Sequence, residues 1–232
     1  MDIYGLEKLS LVDYDGKVAS TVFTGACNFR CPFCHNAPLV TGLSTLEPMD
    51  EKYIFDYLAS RTKILDGVCI TGGEPTLNAD LPKFCEKLKA LGYAVKLDTN
   101  GTNVNMIKPL VENGLCDYFA MDIKNDKAGY GKVVGIPNYD TTAVSKSIEY
   151  FLSGATPYEF RTTLIKEFHD GESISNMAKW IAGAKAHFLQ KFKDNGACIQ
   201  GGLSPVELDT ANAFKDILSK TVKSVNLRGY DL

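Results

Sequence analysis

Short apolar runs alternate with longer stretches whose apolar positions recur at helical spacing along most of the chain. The runs predict strands at 18–23, 67–71, 94–98, 118–122, 158–163, 187–190 and 224–228. Between them, spacings such as Tyr53, Ile54, Tyr57 and Leu58 predict helices at 50–62, 81–91, 104–113, 141–153, 172–185 and 205–220. A hairpin turning at Asp15-Gly16 precedes the first of these strands. Some helices carry their own end signals. Asp50 stands where an N-cap belongs, and Gly92 and Gly114 follow their helices as C-terminal stops. Ser204-Pro205-Val206-Glu207 reads as an N-cap with proline at the first helical position.

Regular β-then-α alternation favours parallel strands with helices packed over them. The strands are too few for a closed eightfold barrel. The expectation is an α/β fold: a partial (β/α)6 TIM-like barrel with an N-terminal β-hairpin, formed by residues 1–232 as a single domain. In such barrels chemistry sits at the C-terminal ends of the strands. The unusual polar residues fall there: Thr71-Gly72-Gly73-Glu74-Pro75, Asp98-Thr99-Asn100-Gly101, Asp122-Ile123-Lys124, Arg161 with Thr163, and Gln190-Lys191-Phe192.

Composition narrows the classes. The chain of 232 residues is 45% hydrophobic and 23% charged, as in ordinary globular proteins. Its net charge of -3 provides no basic field for nucleic acid. No apolar run approaches the roughly 18–20 residues that span a bilayer, and the N-terminus shows no secretory pattern. The expectation is a cytoplasmic protein with reduced thiols, acting on neither nucleic acid nor membrane.

Seven cysteines are present, and three of them crowd into Cys27-Asn28-Phe29-Arg30-Cys31-Pro32-Phe33-Cys34-His35-Asn36. An odd number, mostly isolated, argues against a disulfide framework and leaves metal or catalysis for the cluster. Cys69 in a strand and Cys85 on a helix read as small buried hydrophobes. Zinc could take three cysteines and His35, although Cys34 and His35 are adjacent and would both have to turn to one ion. A 4Fe–4S cluster normally takes four cysteines, so three leave one iron open to a substrate.

C-x3-C-x2-C after a first strand, with aromatic Phe33 before the last cysteine and Gly72-Gly73-Glu74-Pro75 one strand later, resembles the radical S-adenosylmethionine enzymes. The resemblance implies a 4Fe–4S cluster on Cys27, Cys31 and Cys34, with S-adenosylmethionine on the open iron. Phe33, Gly72, Gly73 and Glu74 would lie at that cofactor. Cys34-His35-Asn36, Asp98-Thr99-Asn100-Gly101 and Asp122-Ile123-Lys124 are similar to the glycyl-radical-enzyme activases. That branch would bring His35, Asp98, Thr99, Asn100, Asp122, Lys124, Arg161 and His169 to the cofactor. Asp98, Thr99 and Asp122 would also match a monovalent-cation site. The run at His169 lacks the Pro-Gly found in many of these enzymes.

The branch implies reductive cleavage of S-adenosylmethionine, with the electron coming from flavodoxin or ferredoxin. A 5′-deoxyadenosyl radical would then take hydrogen from a glycine of a partner enzyme, and no general acid or base is needed. No ferredoxin-like insertion separates the cysteine motif from Gly72. Phe188-Leu189-Gln190-Lys191-Phe192 and Val225-Asn226-Leu227-Arg228-Gly229-Tyr230 resemble the activating proteins of anaerobic ribonucleoside-triphosphate reductase. Two other readings remain. One is a small-substrate radical enzyme such as 7-carboxy-7-deazaguanine synthase, where Cys-Asp-Thr is expected in place of Cys34-His35-Asn36. The other is a metal protein that only senses or scaffolds.

Overall fold

The computed structural model describes residues 1–194 and 196–230. Its strands line up in the order in which they occur, β1 through β8. Residues group into two compact units: Met1–Asn28, Pro38–Thr99 and Asn103–Ala120 in the first, and Phe29–Ala37, Asn100–Thr102 and Met121–Leu232 in the second. The α/β class and the partial barrel of parallel strands behind an N-terminal hairpin are as the alternation predicted.

In the first unit, β1 (Ile3–Ser10) runs antiparallel to β2 (Ala19–Thr24), which is the expected hairpin. Beyond it β2 is parallel to β3 (Gly67–Gly72), and β3 to β4 (Ala94–Thr99). A short helix, α1 (Ala37–Thr41), follows the cysteine motif. Then come α2 (Glu51–Ala59), α3 (Leu81–Ala90) and α4 (Val104–Glu112). The end signals hold: Asp50 accepts from the Lys52 N–H, and Gly92 and Gly114 take left-handed φ values of 88° and 63°. Strand β5 (Tyr118–Asp122) carries the chain from the first unit into the second.

The second unit adds α5 (Tyr130–Val134), α6 (Thr142–Leu152), β6 (Tyr158–Leu164), α7 (Gly171–Trp180), β7 (His187–Lys191), α8 (Leu208–Leu218) and β8 (Val225–Arg228). Strands β6, β7 and β8 are parallel, with Arg161 level with Phe188 and Gln190 level with Arg228. Alternation along β6 gives two unlike faces. Phe160, Thr162 and Leu164 are buried, as are His187 and Leu189 on β7. The other register carries Glu159, Arg161 and Thr163, with Phe188, Gln190, Asn226 and Arg228 beside them. Parallel sheets are commonly dry on both faces, whereas Arg161, Thr163 and Gln190 on this register are polar and half-exposed.

One sequence expectation fails. The last helix begins at Leu208 with Glu207 as its N-cap, so Pro205 is not its first residue. Instead Pro205 bridges Ile165, and Ser204 accepts from the Lys166 N–H at 3.0 Å. A long-range pairing has overridden the local signal.

Candidate active site

In the first unit, the start of the cysteine loop is clamped by the glycine motif. The Gly73 N–H donates to the Thr24 carbonyl at 2.9 Å, and the Glu74 N–H donates to the Ala26 carbonyl at 2.8 Å. The two backbones run so close that a Cβ on Gly72 would stand 2.4 Å from the Thr24 N and O atoms. Ala26, directly before Cys27, sits at φ 62°, a left-handed conformation that costs a non-glycine residue about 1 kcal/mol. The glycines therefore act first on the protein, fixing where the loop leaves β2.

Glu74 is buried at 1% exposure. Its Oε1 accepts from the Thr76 N–H at 3.1 Å, the Thr76 hydroxyl at 2.5 Å and the Thr99 hydroxyl at 2.8 Å. Two predicted site residues, Glu74 and Thr99, are thereby brought together. Asp98 pairs with Lys96 at 2.9 Å, and Lys96 also donates to the Asp13 carbonyl at 2.6 Å. Lys96 was missed from sequence. Its signal was available, since a charge two residues before Asp98 on a strand shares its face.

In the second unit, Cys34 N–H donates to the Cys31 carbonyl at 3.0 Å, folding Cys31-Pro32-Phe33-Cys34 into a turn. Cys31 is buried, while Cys27 in the first unit and Cys34 here are half-buried. His35 stacks on Phe192, with centroids 5.5 Å apart and planes 10° apart, and its Nε2 meets the Lys193 carbonyl at 2.7 Å. Phe33 packs against Phe168 and lies under the Lys124 ammonium, 5.8 Å from the ring centre. Asn100 Oδ1 accepts from the Thr102 N–H and hydroxyl, at 3.0 and 2.7 Å. The turn at Gly101 needs its φ of 75° and has no room for a side chain, because a Cβ there would meet Met121.

Asp122 binds two cations, Lys124 at 2.8 Å through Oδ2 and the Arg161 Nε at 2.9 Å through Oδ1. Burial works against the Lys124 charge, yet the Asp122 carboxylate and then Cys31 outweigh it and hold the ammonium well above its ordinary range. His169 is buried. The Ile165 N–H donates to its Nδ1 at 3.0 Å, so Nε2 carries the proton and donates to the Lys124 carbonyl at 3.0 Å. Burial holds the ring below the usual histidine range. Both ring nitrogens are thus committed to backbone, and His169 acts on the strand end that carries Lys124.

Among the described residues, no three His, Cys, Asp or Glu side chains are disposed to hold a single metal ion. A structural zinc site needs such convergence. The thiolates of a 4Fe–4S cube each take a separate iron and do not need it. Three closely spaced thiols, with the Lys124 cation beside Cys31, suit a 4Fe–4S cube in donor chemistry. No helix among the described residues is long and apolar enough to cross a membrane.

The family model of the Radical SAM superfamily matches residues 21–181. A protein of Methanocaldococcus jannaschii named "Putative glycyl-radical enzyme activating enzyme" is 31% identical over 202 residues, covering 84% of this chain and 81% of that protein. A 7-carboxy-7-deazaguanine synthase of Koribacter versatilis is 33% identical over 167 residues, 71% of this chain and 69% of that protein. A solved radical SAM methyltransferase from Sphaerobacter thermophilus shares the fold with a TM-score of 0.72 at 16% identity, over 95% of this chain and 69% of that one.

Proposed function

The chain belongs to the Radical SAM superfamily, and from that membership we propose that it is a glycyl-radical-enzyme activase whose partner is an anaerobic ribonucleoside-triphosphate reductase. The observation that carries the branch is the likeness to the Methanocaldococcus protein over most of both chains. Cys34-His35-Asn36 and the short connection from the cysteine motif to Gly72 support it. The site of action is the cytoplasm, where thiols stay reduced.

Cys27, Cys31 and Cys34 would hold a 4Fe–4S cluster. With S-adenosylmethionine bound, that cluster would supply reductive hydrogen-atom abstraction from a glycine of the partner, given an electron from flavodoxin or ferredoxin. The protein's own residues bind, orient and exclude water. Gly72 and Gly73 fix the loop that presents Cys27. Phe33, in the turn between Cys31 and Cys34, packs on Phe168, while Lys124 and Arg161 are cations of a kind that suits a carboxylate. Asp98, Thr99, Asn100 and His35 are assigned to cofactor binding on the motif likeness to the activases. His169 serves by holding the Lys124 backbone.

The Koribacter relative favours a second reading, a small-substrate enzyme of the deazaguanine type. The deciding experiment is anaerobic reconstitution, reduction with S-adenosylmethionine present, and EPR after adding a ribonucleotide reductase. A stable glycyl doublet on the partner is expected. Turnover of a small purine precursor without a doublet would overturn the activase.

A further inference from the structure

The loop after β5 has no role in the chemistry above. Within residues 127–139 lies an open groove of about 580 Å³, lined chiefly by Lys127, Lys132, Ile136, Pro137, Asn138 and Tyr139. No acidic side chain lines it. Lys127 is held over the Trp180 ring at 5.3 Å and Lys132 over the Phe168 ring at 5.2 Å. Among the described residues neither lysine has a carboxylate partner; Lys132 donates to the neutral Glu167 carbonyl at 3.2 Å. The nearby acids are turned to other donors. Asp126 accepts from the Gly129 N–H and from Asn176, Asp140 from Thr142, and Glu167 from the Ser204 N–H. An acidic chain, at net charge -3, thus keeps two uncompensated cations beside an apolar floor.

The groove also leans on the cysteine motif. The Arg30 N–H donates to the Val134 carbonyl at 2.9 Å, and a Cβ on Gly135 would stand 2.3 Å from the Arg30 oxygen. Arg30 is the residue before Cys31. A partner seated there lies one hydrogen bond and one peptide unit from a proposed cluster ligand.

We propose that this groove is the docking site for a small acidic electron-carrying protein, with Lys127 and Lys132 steering it and Ile136, Pro137 and Tyr139 forming the contact floor. The proposal rests on the reading of the chain's chemistry as reductive. An overall acidic protein repels an acidic carrier, so a local cationic patch sets both the approach and the orientation.

The test is calorimetric titration of the full chain, cluster loaded, with an oxidised flavodoxin and, separately, with a bacterial ferredoxin. The wild type is expected to bind at least one of them, more weakly as salt rises. Lys127→Glu with Lys132→Glu should weaken that binding roughly tenfold or more, and the two Gln substitutions by less. S-adenosylmethionine cleavage driven by dithionite should be unchanged in both double variants. Binding by the Glu variant at wild-type strength, or no carrier binding by the wild type, would overturn the proposal. So would inorganic phosphate occupying the groove without competition from a carrier. Absence of dithionite-driven cleavage in the wild type would instead sink the functional reading, and the titration would still decide the groove.

Discussion

Gly73 and Ala26 are locked together: a Cβ on Gly73 would stand 1.8 Å from the Ala26 carbonyl oxygen, inside any permitted contact. The obstacle is backbone, so it cannot swing aside. Gly73→Ala should cost about 2–3 kcal/mol of stability and displace the loop that leads into Cys27. Urea unfolding reads the first effect, and iron bound per chain after reconstitution reads the second. Ala26→Gly should do the reverse, stabilising by up to about 1 kcal/mol through relief of the positive φ. A Gly73→Ala chain with full iron content and normal stability would refute the clamp.

Asp122 stands between Lys124 and Arg161 and pairs with both, one through each carboxylate oxygen. Asp122→Asn keeps the shape and removes the charge, leaving a mostly buried ammonium without its counterion. The expected cost is about 2–3 kcal/mol, measured by denaturant unfolding. Lys124→Met in that background should recover part of the loss, because the uncompensated charge leaves with it. An additive double variant would show that the pair is not coupled.

Acid should destabilise this protein well before its carboxylates titrate. His187 is fully buried, and burial pushes it down to about 3 from 6.5. Between those values the unfolded chain binds a proton that the folded chain refuses, so stability is complete above pH 6.5 and falls as pH drops toward 3. The slope approaches 1.4 kcal/mol per pH unit, or about that figure. His169, also lowered by burial, acts in the same direction. His187 Nε2 meets the Thr162 hydroxyl at 2.9 Å, a contact the amide of His187→Gln can replace. Urea midpoints at pH 7.5 and pH 5.0 should differ less in that variant than in the wild type.

The four solitary cysteines should divide by reactivity. Cys85 and Cys116 lie with sulfurs 3.8 Å apart in the first unit's core, and the hydrogen bond with Cys85, followed by burial, raises the Cys116 thiol. Cys69 is fully buried in β3. In the folded apo protein these three should resist iodoacetamide while half-buried Cys27, Cys34 and Cys198 label. Peptide mapping checks it. Rapid labelling of Cys69 would show that the first unit opens readily.

The sequence was most legible where local chemistry decides. Asp50, Gly92 and Gly114 mark helix ends that the fold keeps, because a cap needs nothing beyond its own turn. Pro205 misled for the opposite reason: its partner is Ile165, forty residues away. Helix α5 went unseen because five residues between Gly129 and Gly135 carry too little periodicity, and its burial depends on Phe29 and Tyr139 meeting Tyr130 from elsewhere in the chain. The glycine motif could be recognised as a place needing no side chain. That the crowding atom belongs to Ala26 could not be read from it. His169 was expected at the cofactor; the strand-end backbone it holds is visible only in three dimensions.

The two registers of β6 separate inheritance from invention. Phe160, Thr162 and Leu164 are buried and keep the fold standing, while Arg161 and Thr163 on the other register stay half-exposed, with Glu159 beside them buried against Arg228. Substitution at Thr163 can therefore change what this face presents while the core on the other register stays in place.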